Sequence, residues 1–331
     1  MRSLLALPVL LLAAATPLLP ADAPPAAEAT REGNAAVGER LARIERILWE
    51  RDAGSIPTLR EWAARDASDR VRERALGALV TLRDTKAPRV YFDRLGSDPS
   101  PRVRRAAADA VGTLAIPVDR ADRLSTPLRK DADPMVRAEC ARAIGRAGDR
   151  QAFPFLLIAL AQDPSPEVRA LSAEALMTLK VAESVEVLRN AALQDRSPVV
   201  RVYAVRAIAA IDPRSSAETF QTLWDQATDA DLRTAAYEGM LQTSGAPAWI
   251  EAGLQDKDPR IRYLAFRAWQ SRLQPVRPGM PPTRNSGEVL RLETFLKDPL
   301  RGIREGARQA LERLGYRVVE KDSVYAIAGE Q

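Results

Sequence analysis

The sequence contains no histidine and a single cysteine in 331 residues. Without histidine there is no Ser-His-Asp or Cys-His catalysis and no histidine-ligated zinc or iron. The usual proton shuttle of neutral pH is missing too. One cysteine, Cys140, cannot form an intramolecular disulfide, so packing alone must hold the fold. Aromatic residues are scarce at 5%, and much of the 46% apolar share is alanine. That balance suits small side chains between helices better than a β-sandwich core. No P-loop, G-x-G-x-x-G, G-x-S-x-G, H-E-x-x-H or D-x-D-x-D-G pattern occurs, so the common nucleotide, hydrolase and calcium signatures are all missing. The net charge is +5, yet no long basic run carries it.

The one apolar run of note lies at the start. Arg2 precedes Leu4 to Ala15, broken only by Pro8. Small-residue stretches follow, including Ala21-Asp22-Ala23 and Ala27-Glu28-Ala29. Residues 1–23 read as a secretory signal peptide, which places the mature chain in the periplasm or outside the cell. The run is short for the roughly 20 apolar residues of a spanning helix, and an uncleaved N-terminal anchor is the alternative. Residues 24–36, rich in Pro, Ala, Glu and Gly, read as a flexible linker.

What the sequence does have is repetition. A bulky apolar residue precedes arginine at Arg72, Arg104, Arg137, Arg169, Arg201, Arg233, Arg262 and Arg304, at spacings of 32, 33, 32, 32, 32, 29 and 42. Three residues after each arginine stands a small residue (Ala75, Ala107, Cys140, Ser172, Ala204, Ala236, Ala265, Ala307), six after it another, and seven after it a bulky apolar one. Those offsets share one helical face, with small residues where a neighbouring helix must come close. Six residues before the arginine stands Asp66, Asp98, Asp131, Asp163, Asp195, Asp256 or Asp298; the sixth unit alone has Ala227. Proline often follows the aspartate, stopping one helix and opening a tight turn. The next helix is expected to start near Ser100, Ser165 or Ser197, with proline in its first turn.

This D-x-x-x-x-V-R register with its A-x-x-A-L continuation resembles the HEAT repeat, in the short form also found in phycobilisome-lyase-like proteins. The resemblance covers roughly residues 37–315. It implies an all-α fold, a right-handed α-α superhelix of about eight helix pairs. It also implies that the repeated aspartates and arginines form a hydrogen-bonded ladder between neighbouring units, interrupted at Ala227. Cys140 takes the small-residue position of its unit and reads as a buried, inert thiol.

Second helices are expected over 87–95, 151–161, 183–193, 217–224 and 246–254, and a short or bent one between Ile116 and Lys130 because of Pro117 and Pro127. Residues 37–65 read as an N-terminal cap that covers the apolar end of the stack. The long last spacing holds an insertion, 274–285, in which Arg277, Met280 and Arg284 are candidate contacts. Residues 316–331 leave the repeat as a tail or a small hairpin.

No catalytic residue, cofactor site or metal site emerges. The expected function is a non-enzymatic protein-interaction scaffold, monomeric, whose concave face is lined by the second helices. Glu183, Glu186 and Arg189 are its candidate partner contacts. The alternatives are a nucleic-acid-binding solenoid resembling alkyl-base DNA glycosylases, and a phycobilin-lyase-like enzyme. The mixed charges speak against the first, and an export signal against both.

Overall fold

The computed structural model describes residues 26–118, 122–273, 286–321 and 324–327. The chain opens with a long helix, α1 (Ala26–Glu50). Eight helix pairs follow: α2 (Ile56–Arg65) with α3 (Asp69–Thr81), α4 (Pro88–Ser97) with α5 (Pro101–Thr113), α6 (Asp122–Lys130) with α7 (Pro134–Ala147), and α8 (Phe153–Gln162) with α9 (Pro166–Leu179). The series continues with α10 (Val185–Gln194) and α11 (Pro198–Ile211), then α12 (Ala217–Gln226) and α13 (Ala230–Met240). It ends with α14 (Ala246–Leu254) and α15 (Pro259–Gln270), and α16 (Gly287–Phe295) and α17 (Arg301–Arg313). This is the expected all-α superhelix. The eight-fold repetition of the sequence is an eight-fold repetition of helix hairpins.

Each hairpin closes across the aspartate turn, so a unit is a second-type helix followed by its V-R helix. The sequence register begins each unit at the V-R helix and so assigns α2 to the cap; in the structure α2 is the first helix of unit one. Turn length is the reason. Only Asp98, Pro99 and Ser100 join α4 to α5 within a unit, whereas the longer segment from Leu82 to Ala87 joins α3 to α4 between units. Proline occupies the first turn of α5, α9 and α11 as expected. The cap serines do not bond through their hydroxyls to the helix amides; their own amides instead donate to the aspartate two residues earlier.

One apolar core runs the length of the stack. Val71, Ala75, Ala78 and Leu79 of α3, and their counterparts down to Ile303, Ala307, Ala310 and Leu311 of α17, are buried, except for Ala268 and Trp269 of α15, which are half-buried. Small residues at these positions let backbones meet. A Cβ built on Gly145 of α7 would lie 2.9 Å from the Cα of Ala175 in α9, and one on Gly112 of α5 equally close to that of Ala143. Cys140 is fully buried in the same face, and burial pushes its thiol well above the ordinary range.

The ends differ from the sequence reading in detail. The helix α1 begins at Ala26, inside the stretch read as linker, because no proline between Pro25 and Pro57 interrupts an alanine- and glutamate-rich segment. Ile44 and Ile47 of α1 are buried, while Trp49 is 89% exposed. At the other end, β1 (Val318–Lys321) and β2 (Val324–Ile327) form an antiparallel hairpin with Val318 opposite Ile327 and Val319 opposite Ala326. Val318, Tyr325 and Ile327 pack on the end of the core, and Tyr325 donates to Glu305 of α17. The residues of the expected signal peptide and of the 274–285 insertion, with Arg277, Met280 and Arg284, lie outside the described residues.

Candidate functional site

The repeated charges form a single device along the stack. Nε and Nη2 of Arg72 hold the two carboxylate oxygens of Asp98, one unit on, at 2.8 and 2.7 Å. Arg104 holds Asp131 at 2.7 and 2.8 Å, Arg137 holds Asp163 at 2.8 and 2.9 Å, and Arg169 holds Asp195 at 2.7 and 2.8 Å. In each case Nη1 turns back to the carbonyl of its own unit's aspartate, at 2.8 to 3.0 Å. Oδ1 of each aspartate also accepts the amide two residues on, as Asp98 does from Ser100 at 3.0 Å. One arginine thus ties its own turn to the next, and one carboxylate serves both a guanidinium and a turn.

The rungs are largely dry. Arg72 is 7% exposed, Asp98 2% and Arg169 5%. Burial disfavours the carboxylate charge of Asp98, Asp131 and Asp195, yet the arginine and amide bonds outweigh it and leave each pKa below the usual range. The partner guanidinium groups shift upward, chiefly through the same bonds. Groups committed in this way are poorly placed to exchange protons with a substrate.

Two features of the ladder escape the V-R register. Arg40 of α1 forms an ion pair with Asp66 at 2.8 Å and donates Nη2 to it at 3.3 Å, adding a rung before the first repeat. The signal was present: Arg40 precedes Asp66 by 26 residues, the same separation as Arg72 from Asp98. A side rung in unit one joins Arg60 to the buried Asp84, whose pKa is lowered mainly by the Arg60 bond.

The expected interruption is where the sequence places it. Arg201 finds no carboxylate within 4.0 Å among the described residues and donates Nε to the carbonyl of Ala192 instead, at 2.9 Å. Beyond it the rungs change form. Arg233 grips Asp256 through Nη1 and Nη2 at 3.1 and 2.7 Å, with its guanidinium carbon 3.8 Å from the centre of the Trp224 ring. Arg262 reaches Asp298 only at 3.4 Å. Arg304, in the last described unit, keeps the bonds to its own turn.

The exposed helix faces carry the remaining charge. On the second-type helix α10 Glu186 is exposed and pairs with Arg189 at 2.6 Å, and Glu183 is exposed in the 3-10 turn that precedes it. Between α8 and α10 lies an open groove of 720 Å³, lined by residues including Leu160, Pro164, Asn190 and Arg196. The V-R helices instead touch backbone to backbone at Gly112 and Gly145. Their solvent-facing side pairs Arg74 with Glu45 of α1 at 2.6 Å, Arg146 with Asp109 at 3.2 Å and Arg260 with Asp231 at 2.7 Å. A second groove, of 510 Å³, crosses that face between α3, α5 and α7. Its wall includes Glu139, which is 8% exposed and whose pKa burial raises.

Comparison with known proteins follows the repeat. A family model described as HEAT repeats matches residues 56–126, 121–196 and 185–268. No curated protein sequence matches the chain. Among solved structures it is similar to YibA of E. coli, at 19% identity and a TM-score of 0.50 over 78% of this chain and 92% of that one. It is also similar to Kap95p in complex with RanGDP, at 13% identity and a TM-score of 0.50 over 80% of this chain and 41% of that one. A third similar structure is the complex of CpcE and CpcF of phycocyanin lyase from Nostoc sp. PCC7120, at 20% identity and a TM-score of 0.45 over 68% of this chain and 86% of that one. At these identities the likeness concerns the fold.

Proposed function

The chain belongs to the HEAT repeat family, and from that premise we propose that it is a non-enzymatic protein-recognition scaffold working outside the cytoplasm. The observation that carries this reading is the commitment of the repeated charges. The aspartates and arginines that could suggest acid–base or phosphate chemistry are bound to one another and to turn amides. Recognition is left to the outer faces of the helices, as in an extended solenoid.

The spacing of the two helix rows favours the V-R row as the inner, partner-facing side. Backbones meet at Gly112–Ala143 and Gly145–Ala175 in that row, even though a groove crosses its surface. No such backbone approach accompanies the grooves between α8 and α10 and between α4 and α6 among the described residues of the other. A two-layered stack curves toward its more tightly spaced layer. Arg105, Arg142, Arg206 and Arg267, interleaved with Asp109, Glu174 and Glu238, then line the inner surface. This differs from the expectation that the second helices, with Glu183, Glu186 and Arg189, carry the contacts.

The same interleaving weighs against nucleic acid, since a backbone-tracking surface needs an unbroken positive stripe. Export rests on the apolar run Leu4–Ala15 and the small residues that follow it. Photo-crosslinkers placed at Arg105 and Arg206 in cells should trap a discrete protein, whereas placement at Glu183 should not. Salt-sensitive retention on DNA or RNA with a steep slope would overturn the scaffold reading. Amino-terminal sequencing of the mature protein tests export; an intact Met1 in the soluble cell interior would sink it.

A further inference from the structure

The interrupted rung has the build of a carboxylate site. At Ala227 the backbone keeps the extended conformation of the ladder aspartates, with φ −69° and ψ 118° against −64° and 135° at Asp195. It ends α12 as Asp195 ends α10. Only the side chain differs, a methyl group standing where the other units carry a carboxymethyl. Two donors that an aspartate satisfies in the preceding units are therefore left over. One is the guanidinium of Arg201, half-buried, with Nη1 and Nη2 accepted by no group among the described residues. The other is the amide of Asp229, two residues after Ala227, the position whose counterparts at Ser197 and Asp258 donate to Asp195 and Asp256. It too has no acceptor among the described residues.

The surrounding charges do not compete for this pair. Asp229 directs its own carboxylate at the amides of Asp231 and Leu232, where it caps α13. Asp231 is engaged by Arg260 at 2.7 Å, and Arg233 by Asp256. Arg201 has also left the carbonyl of Asp195, the own-turn bond that Arg104, Arg137 and Arg169 keep, and reaches Ala192. A half-buried guanidinium with spare fork donors suits a bidentate carboxylate better than it suits water alone.

We propose that Arg201 and the Asp229 amide form a docking site for an acidic side chain of the protein partner, which completes the fifth rung in place of the missing aspartate. The proposal rests on the scaffold reading and names the chemistry of its contact. Specificity follows from geometry: the carboxylate must enter beside the methyl of Ala227, so restoring aspartate there fills the site from within.

The test uses a fluorescein-labelled, amidated peptide of alternating glycine and aspartate, followed by anisotropy at low salt with the full chain. Saturable binding is expected, weakened about tenfold or more by Ala227→Asp and by Arg201→Gln. Ala210→Asp adds the same charge at an exposed position of α11, and should weaken it less than about twofold by long-range charge alone. The asparagine version of the peptide should not bind. No saturable binding, or equal loss from Ala227→Asp and Ala210→Asp, overturns the proposal. Displacement by millimolar acetate would identify free small carboxylates as the ligand and overturn the assignment to a protein side chain. A partner trapped by crosslinking but indifferent to Ala227→Asp would sink this site and leave the scaffold reading standing.

Discussion

Units one to five and units six to eight solve the same packing problem differently. In the first group the V-R helices meet through glycine and alanine, and a bidentate arginine closes each of the first four rungs at 2.7 to 2.9 Å. In the second group aromatic side chains fill the space. Phe220 lies against Gly239, Tyr237 against Gly253 and Phe266 against Gly306. Trp224, Tyr237 and Trp249 form one tilted cluster, and Phe266, Trp269 and Phe295 another, with ring centres 5.1 to 6.4 Å apart. Polar bonds at fixed geometry hold the first region in one register. The second relies on larger, less directional contacts, and its rungs are longer or missing.

Acid should separate the two regions most strongly. Among the ladder and turn aspartates, Asp84, Asp98, Asp131 and Asp195 have pKa values lowered in the folded state, against Asp256 and Asp258 in the later units. In those later units Glu251 and Glu305 are lowered by surface pairs, while burial raises Glu139 and Asp149 in the first region and offsets part of the difference. Lowered folded-state values mean that their stabilisation is present above the unfolded carboxylate pKa, about 3.9. It is lost as pH falls through the folded values. Hydrogen exchange between about pH 5 and pH 2.5 should show protection collapsing first in α3 to α11. Uniform loss along the chain would contradict the contrast.

Single rungs should follow the same order. Arg72→Ala leaves the buried Asp98 with the longer Arg94 bond, at 3.3 Å, and the Ser100 amide, and should cost about 3 kcal/mol, the low end for removal of one partner of a buried pair. Arg262→Ala, at a 3.4 Å rung with side chains 18% and 13% exposed, should cost about 1 kcal/mol. Denaturant melts of the two variants, followed by exchange at the affected unit, measure the difference. Gly145→Ala forces α7 from α9, where the obstacle is backbone, and should cost about 2 kcal/mol in the same melts. The smallest change is a gain. Ala227→Asp closes the fifth rung and supplies the missing turn bond, and should stabilise by about 1 kcal/mol in a thermal melt.

Much of this was legible in the chain. The interval of about 32 residues, the small residues three and six after each arginine, and the lost aspartate at Ala227 are local facts of sequence. Each corresponds to an element, a contact or an interruption in the structure. Arg40 was legible too, through its 26-residue separation from Asp66, but it lacks the V-R neighbour that marks the others. The pairing of helices was not legible. Periodicity is blind to which of two adjacent helices closes the hairpin, and the short aspartate turn decides it.

The sequence by itself determined the architecture, because a helical face repeated eight times can bury its apolar stripe only against copies of itself. It also determined which charges are framework. Tertiary structure alone decided which donors remain unpaired at Arg201 and Asp229, how closely each helix row is spaced, and where the hairpin of β1 and β2 settles. Those depend on distances between residues one unit or more apart in the chain, set by how side-chain volumes in successive units add along the stack.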